Sequence, residues 1–213
     1  MTVQSGKNGG LSARKCEAAL HWETQTFAVA EQAAQIDLDL FGVDLATDGP
    51  VAAFQIKKTA DECCVSYQIY SLTRPPRLLR TITGGSFFSG SDRDLDGRIE
   101  IWTDDAAAVN GLDGLLAAEM DYAPTYILRF DQGRMLDSSN EFQDYFDDIV
   151  RRVRDEIKPE FLQEFKLSDG RLRADLSSDP SRLHRLRLVK IQILEIVWAC
   201  LYSGREQEAW RSL

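Results

Sequence analysis

The residues with the most chemistry in their spacing lie near the middle of the chain. In SGSDRDLDGRIEIWTDD (residues 89–105), Asp92, Asp94 and Asp96 alternate with other residues, Gly97 follows at once, and Glu100 comes shortly after. Four carboxylates held within a few ångströms repel one another, and a divalent cation relieves that repulsion. Calcium accepts roughly six to eight oxygens in flexible geometry. Counted from Asp92, the aspartates stand at positions 1, 3 and 5 of a loop, and Gly97 permits a sharp bend. Arg98 then offers its backbone carbonyl at position 7 and Glu100 a carboxylate at position 9. The predicted ligand set is therefore Asp92, Asp94, Asp96, Arg98 and Glu100, and the predicted ion is calcium. An acidic hairpin turn on Asp96-Gly97 without an ion, or a site for magnesium or sodium, uses the same residues.

Two loop types begin this way. An EF-hand requires a bidentate glutamate at position 12 and flanking helices. Position 12 here is Thr103, and RIEIW alternates as a strand. The stretch instead resembles the calcium loop of FG-GAP and VCBS repeats, of the integrin-α type. In those repeats D-x-D/N-x-D-G-x-x-D/E leads directly into an apolar strand. Asp92, Asp94, Asp96, Gly97, Glu100 and Ile101 carry the likeness, with Glu in place of the usual Asp. It covers about residues 86–102 in a single copy, whereas a propeller needs about four to eight four-stranded blades. The resemblance implies a calcium ion, a blade-like sheet and adhesion-type roles outside the cytoplasm, but no reaction.

Other chemistry is sparse. His21 and His184 stand in no metal-ligand spacing, no G-x-S-x-G elbow occurs, and GGSFFSGS lacks the lysine of a phosphate loop. The four cysteines, Cys16, Cys63, Cys64 and Cys200, match no zinc or redox motif. Free buried thiols are expected, with a Cys16 disulfide to Cys63 or Cys64 left open. Trp22, Trp102, Trp198 and Trp210 read as core residues. The expectation is a non-catalytic, calcium-stabilised binding or interaction module. The alternative is a hydrolase-like enzyme acting on carbohydrate or phosphate ester through Asp104, Asp105 and the acidic cluster near Trp102.

The elements that must position the loop are strands. QIDLDLFGVDL places Ile36, Leu38 and Leu40 on one face. VAAFQIKK, CCVSYQIYSL (Val65, Tyr67 and Ile69 sharing a face), RLLRTITG, RIEIW, TYILRF and GRML follow, punctuated by turn signals as in an antiparallel meander. Residues 16–29, including HWETQTFAV, are ambiguous but strand-compatible.

After Leu136 the period changes to helical: Phe142, Tyr145, Phe146, Ile149, Val153 and Ile157 share a stripe. Ser138 with Glu141 predicts a capping box. Lys158-Pro159 breaks the helix, Asp179-Pro180 starts a long one, and Gly204 ends it. Its basic start (Arg182, Arg185, Arg187, Lys190, with Arg171 and Arg173 before) is expected to face Asp144, Asp147 and Asp148. Gly204 and Ala209, with Tyr202 and Trp210 as packing residues, resemble the turn of a tetratricopeptide repeat.

The predicted fold is α+β: an antiparallel sheet or small β-sandwich (blade-like), then a helical part. The expected division is a disordered tail (1–15), a β-rich part with the acidic loop (16–136), and helices packed on the sheet (137–213). Ile149, Val153, Ile193 and Val197 are the expected buried contacts. A net charge of −9 argues against general nucleic-acid binding. No run of about 18 apolar residues is present, so no membrane span is expected. The expected partner is another protein, with self-association through the C-terminal helix, whose pattern runs to the last residue, Leu213. An extracytoplasmic location, periplasmic or secreted, is favoured.

Overall fold

The computed structural model describes residues 2–5, 15–60, 63–73, 75–109, 123–168, 172 and 179–212. Two compact units form: residues 1–119 with 126–137, and residues 120–125 with 138–213. The protein is α+β, with antiparallel sheets in the first unit and helices in the second.

Among the described residues the β unit contains three sheets. β1 (Thr2–Ser5), β2 (Cys16–Trp22) and β3 (Gln25–Ala33) make one. β4 (Gln35–Asp44), β5 (Pro50–Lys57), β6 (Ser66–Ser71) and β7 (Arg77–Thr83) make a meander. β8 (Phe88–Ser91), β9 (Glu100–Asp104), β10 (Thr125–Asp131) and β11 (Arg134–Asp137) make a second meander. Thr2–Ser5 lies within the expected tail, yet it pairs with β2. HWETQTFAV is a hairpin rather than one strand, because Glu23 adopts a positive φ of 53° and the chain reverses there.

The four-stranded meander β4–β7 is the middle of three layers. On one side, Val51, Ala53, Tyr67 and Ile69 pack against Phe88, Ile101, Leu128 and Phe130. On the other, Ala52, Phe54, Ile56 and Tyr70 pack against Ala18, Leu20, Val29 and Ala33. Covered on both faces, β5 is apolar at successive positions instead of alternating.

A bulge in β4 overturns the expected common face of Ile36, Leu38 and Leu40. The register jumps from Leu38↔Phe54 to Leu40↔Ala53, leaving Asp39 unpaired in the ladder. Alternation restarts after it, so Ile36 joins one core, Leu40 the other, and Leu38 is exposed. The displaced Asp39 carboxylate accepts from the Tyr67 hydroxyl at 2.5 Å and from the Gly90 amide at 2.8 Å. Burial first, then Asp39, pushes the Tyr67 hydroxyl far above the usual phenol range. A Cβ at Gly90 would lie 2.6 Å from the buried Leu40 side chain, which would have to shift to admit it.

In the second unit, α2 (Gln143–Glu156), α3 (Pro159–Lys166), α4 (Pro180–Tyr202) and α5 (Glu206–Arg211) follow the predicted breaks. A four-residue helix, α1 (Ala106–Val109), belongs to the β unit. α2 and α4 pack against one another; Ile149 and Val153 on α2 and Val197 on α4 are buried, and Ile193 is half-buried. The Asp179 carboxylate accepts from the Ser181 and Arg182 amides at 3.0 and 3.1 Å, capping α4. α4 ends with the Arg205 amide reaching back to the Cys200 carbonyl at 2.8 Å.

The Ser138–Glu141 capping box does not form. A 3-10 turn, Ser139–Glu141, intervenes before α2, and Ser138 makes no side-chain cap. The basic start of α4 pairs with α3, not with the aspartates of α2: Glu164 takes Arg182 at 3.0 Å and Arg185 at 3.3 Å. Asp147 instead pairs with Arg205, and Asp148 with Arg151 one turn on. Ala209 is buried, but Trp210 is 64% exposed and is not a packing residue. Arg171, Arg173 and Leu213 lie outside the described residues.

Cys63 and Cys64 are disulfide-bonded to each other; Cys16 and Cys200 are free thiols. The expectation of free buried thiols fails for this pair, which sits in a bend before β6 with Cys63 exposed and Cys64 half-buried. Among the described residues no helix is long and apolar enough to cross a membrane.

Candidate metal centre

The acidic loop, residues 92–99, joins β8 to β9. The strand before it is buried at Phe88 and half-buried through Ser91, and the strand after it is buried from Glu100 to Thr103. The register Phe88↔Thr103 through Ser91↔Glu100 fixes where the loop leaves and re-enters the sheet. Gly97 bends it with a φ of +86°, a conformation that disfavours any side chain. Arg93 folds its guanidinium over the Trp102 ring, 4.0 Å from the centroid, which covers that edge of the strand.

Three of the predicted ligands converge. Asp92, Asp94 and Glu100 each offer an oxygen, and these oxygens lie within 4.8 Å of one another. Two oxygens on opposite sides of a calcium ion stand about 4.8 Å apart, twice a calcium–oxygen distance of about 2.4 Å. The carboxylates are held by backbone amides. Asp92 accepts from Asp96 and Gly97 at 3.1 and 3.0 Å, Asp94 from Asp96 at 3.2 Å.

Asp96 is placed differently. The bend at Gly97 brings Arg98 back on it, and its carboxylate accepts from the Arg98 amide at 2.8 Å and its guanidinium at 2.7 and 2.5 Å. These bonds hold the Asp96 carboxyl below its usual range. Arg98 thus enters the loop through its guanidinium, an interaction that sequence spacing did not suggest.

Glu100 is the unusual member. It is fully buried at the first position of β9. One oxygen accepts from the Arg93 amide at 3.3 Å, while the other, Oε1, is buried with no hydrogen-bond partner. Burial pushes its carboxyl up from the ordinary value, and Asp94 and Asp96 push it further. Ser91, directly opposite in the register, also has a buried and unpartnered hydroxyl. Residues opposite one another in a ladder project from the same face. Ser91 was not predicted as a site residue; its position one before Asp92 was the available signal.

The other acidic pair is structurally engaged. Asp104 accepts from the Ser86 amide and hydroxyl, both at 2.5 Å, and Asp105 caps α1 through the Ala108 amide at 3.1 Å.

No protein-family profile, curated protein or solved structure matches the chain.

Proposed function

We propose that this chain is a non-catalytic interaction module whose β unit is stabilised by a calcium ion bound at Asp92, Asp94 and Glu100. The observations that carry the reading are the buried Glu100 carboxylate, one oxygen of which has no partner, and its convergence with the carboxylates of Asp92 and Asp94. A buried carboxylate without a countercharge costs several kcal/mol (on the order of), and a divalent ion removes that cost. Asp96 supports the loop by gripping Arg98 and presenting its amide to Asp92 and Asp94. The remaining coordination would come from backbone carbonyls, Ser91 and water.

Two protein carboxylates at the surface and one beneath make a modest site. Such sites suit the roughly 0.1–1 mM calcium range of extracellular modules. The Cys63–Cys64 disulfide supports the same oxidising setting outside the cytoplasm. The partner proposed is another protein, with α5 and its exposed Trp210 as the surface for self-association. The engagement of Asp104 with Ser86 and of Asp105 with α1 speaks against a hydrolytic pair at Trp102.

Calorimetric titration of calcium into chelator-stripped protein tests the proposal. One saturable site is expected, weaker or absent for magnesium, and lost in Asp92→Asn. Absence of saturable binding up to several millimolar calcium would refute it.

A further inference from the structure

A second charged cluster lies elsewhere in the β unit, and it is basic. A cavity of about 740 Å³ opens between the edge strands β7 and β11. Its rim carries Arg77, Arg80 and Arg134, and its bed includes Leu79, Phe130 and Met135. In a protein of net charge −9, three guanidinium groups around one apolar bed call for an explanation.

Backbone irregularity gathers them. Arg77 and Arg80 are three apart, and in a regular strand residues an odd number apart face opposite ways. The β6–β7 ladder jumps from Ile69↔Arg80 to Tyr70↔Leu78, so Leu79 is an extra residue in β7. That bulge turns both arginines to the same cavity. Arg134 arrives from the β10–β11 hairpin, whose turn residues Gln132 and Gly133 both have positive φ, 48° and 72°. The Gly133 amide reaches the Ala46 carbonyl at 3.3 Å, tying this turn to the β4–β5 turn on the far side of the cavity. The frame is therefore set before any ligand arrives.

The charges are poorly matched within the chain. Arg77 stands 4.0 Å from Asp48, whose side chain is 99% exposed. The side chains of Arg80 and Arg134 have no ion-pair or hydrogen-bond partner among the described residues. Leu79 and Met135 are partly buried against the core, and Phe130 is buried in it. Guanidinium forks match carboxylate and phosphate oxygens, and an apolar bed beside them matches hydrocarbon. The volume lies within the range of small-molecule sites, roughly 300–1,000 Å³.

We infer that this cavity binds a small amphiphilic anion, with its carboxylate or phosphate on the three arginines and its apolar body along Leu79, Phe130 and Met135. The site is separate from the acidic loop and does not depend on calcium.

Calorimetric titrations of calcium-loaded protein with decanoate, decyl phosphate, inorganic phosphate and decanol test it, with the amphiphiles below their micelle concentrations. Saturable binding of decanoate or decyl phosphate is expected at one site, at least tenfold tighter than phosphate or decanol. The tighter of the two identifies the head group. Arg80→Ala combined with Arg134→Ala, both exposed positions, should weaken that binding at least tenfold and leave calcium binding unchanged. Equal binding of phosphate and decyl phosphate would overturn the amphiphile assignment. No saturable binding by either amphiphile, or binding indifferent to the double variant, would overturn the site.

Discussion

Two glutamates are buried among the described residues, one in each unit, and their surroundings differ in one respect. Glu195, on α4, has the guanidinium of Arg152 from α2 at 2.5 Å. Burial raises its carboxyl, and Arg152 works against that rise. Glu100, on β9, has a backbone amide on one oxygen and nothing on the other, and the charges that act on it are those of Asp94 and Asp96, which raise it further. The helical unit carries its own countercharge across a helix pair. The β unit gathers more negative charge at the place where it buries one, an arrangement that makes sense when the countercharge comes from solution.

The largest expected effect breaks the helical half of this comparison. Arg152→Ala leaves Glu195 buried without a cation and should destabilise the protein by about 2 kcal/mol, less than for a fully buried pair because Arg152 is half exposed. Glu195→Gln in the same background should recover part of that loss. Denaturant unfolding of the native chain and the two variants measures both.

A smaller effect sharpens the β half. Asp94→Asn removes a converging ligand and should weaken calcium at least tenfold, about 1.4 kcal/mol. Asp96→Asn removes a carboxylate that faces Arg98, so its loss should be the smaller of the two. Parallel calcium titrations rank them; the reverse order would place Asp96 on the ion.

The smallest effect concerns pH. Arg185, with Arg182, holds the Glu164 carboxyl below its ordinary value of 4.5. A depressed carboxylate contributes stability fully above the unfolded pKa, and that contribution fades as pH falls through the lower, folded one. Glu164→Gln should therefore differ from the native chain above pH 4.5 and converge with it in acid. Thermal midpoints across pH 2.5 to 7 (an approximate window around that value) check the sign.

The meander strands and long helices were legible because alternation and helical stripes survive wherever one face is buried. Tyr67 and Ile69 show it at the start of β6, where Gln68 between them is only partly buried, with Val65 just before the strand. Legibility failed where packing imposed a bulge or a strained turn. Nothing in QIDLDLFGVDL marks Asp39 as the extra residue; the demand comes from Tyr67 and Gly90, far along the chain. Glu23 lacks the Asn-Gly signal of a hairpin, so the β2–β3 reversal reads as one strand. At the acidic loop, residue types and spacing pointed to Asp92, Asp94, Asp96, Arg98 and Glu100, of which Asp92, Asp94 and Glu100 bring carboxylate oxygens together. The diversion of Asp96 to Arg98 did not show, because both are plausible ligands by position. The burial of Glu100 did not show either, because it depends on the sheet that closes over β9. Leu79 escaped notice for the same reason as Asp39.

The central claim is that Glu100 is buried for the sake of an external cation. Thermal unfolding of the native chain and of Glu100→Gln, each with calcium and with chelator, tests it most directly. Calcium at ten times its dissociation constant should stabilise the native chain by about 1.4 kcal/mol and raise its midpoint by a few degrees. Glu100→Gln, which removes the uncompensated charge, should match or exceed the chelated native chain and should not respond to calcium. A native midpoint indifferent to calcium, together with a Glu100→Gln chain less stable than the chelated native protein, would contradict the account.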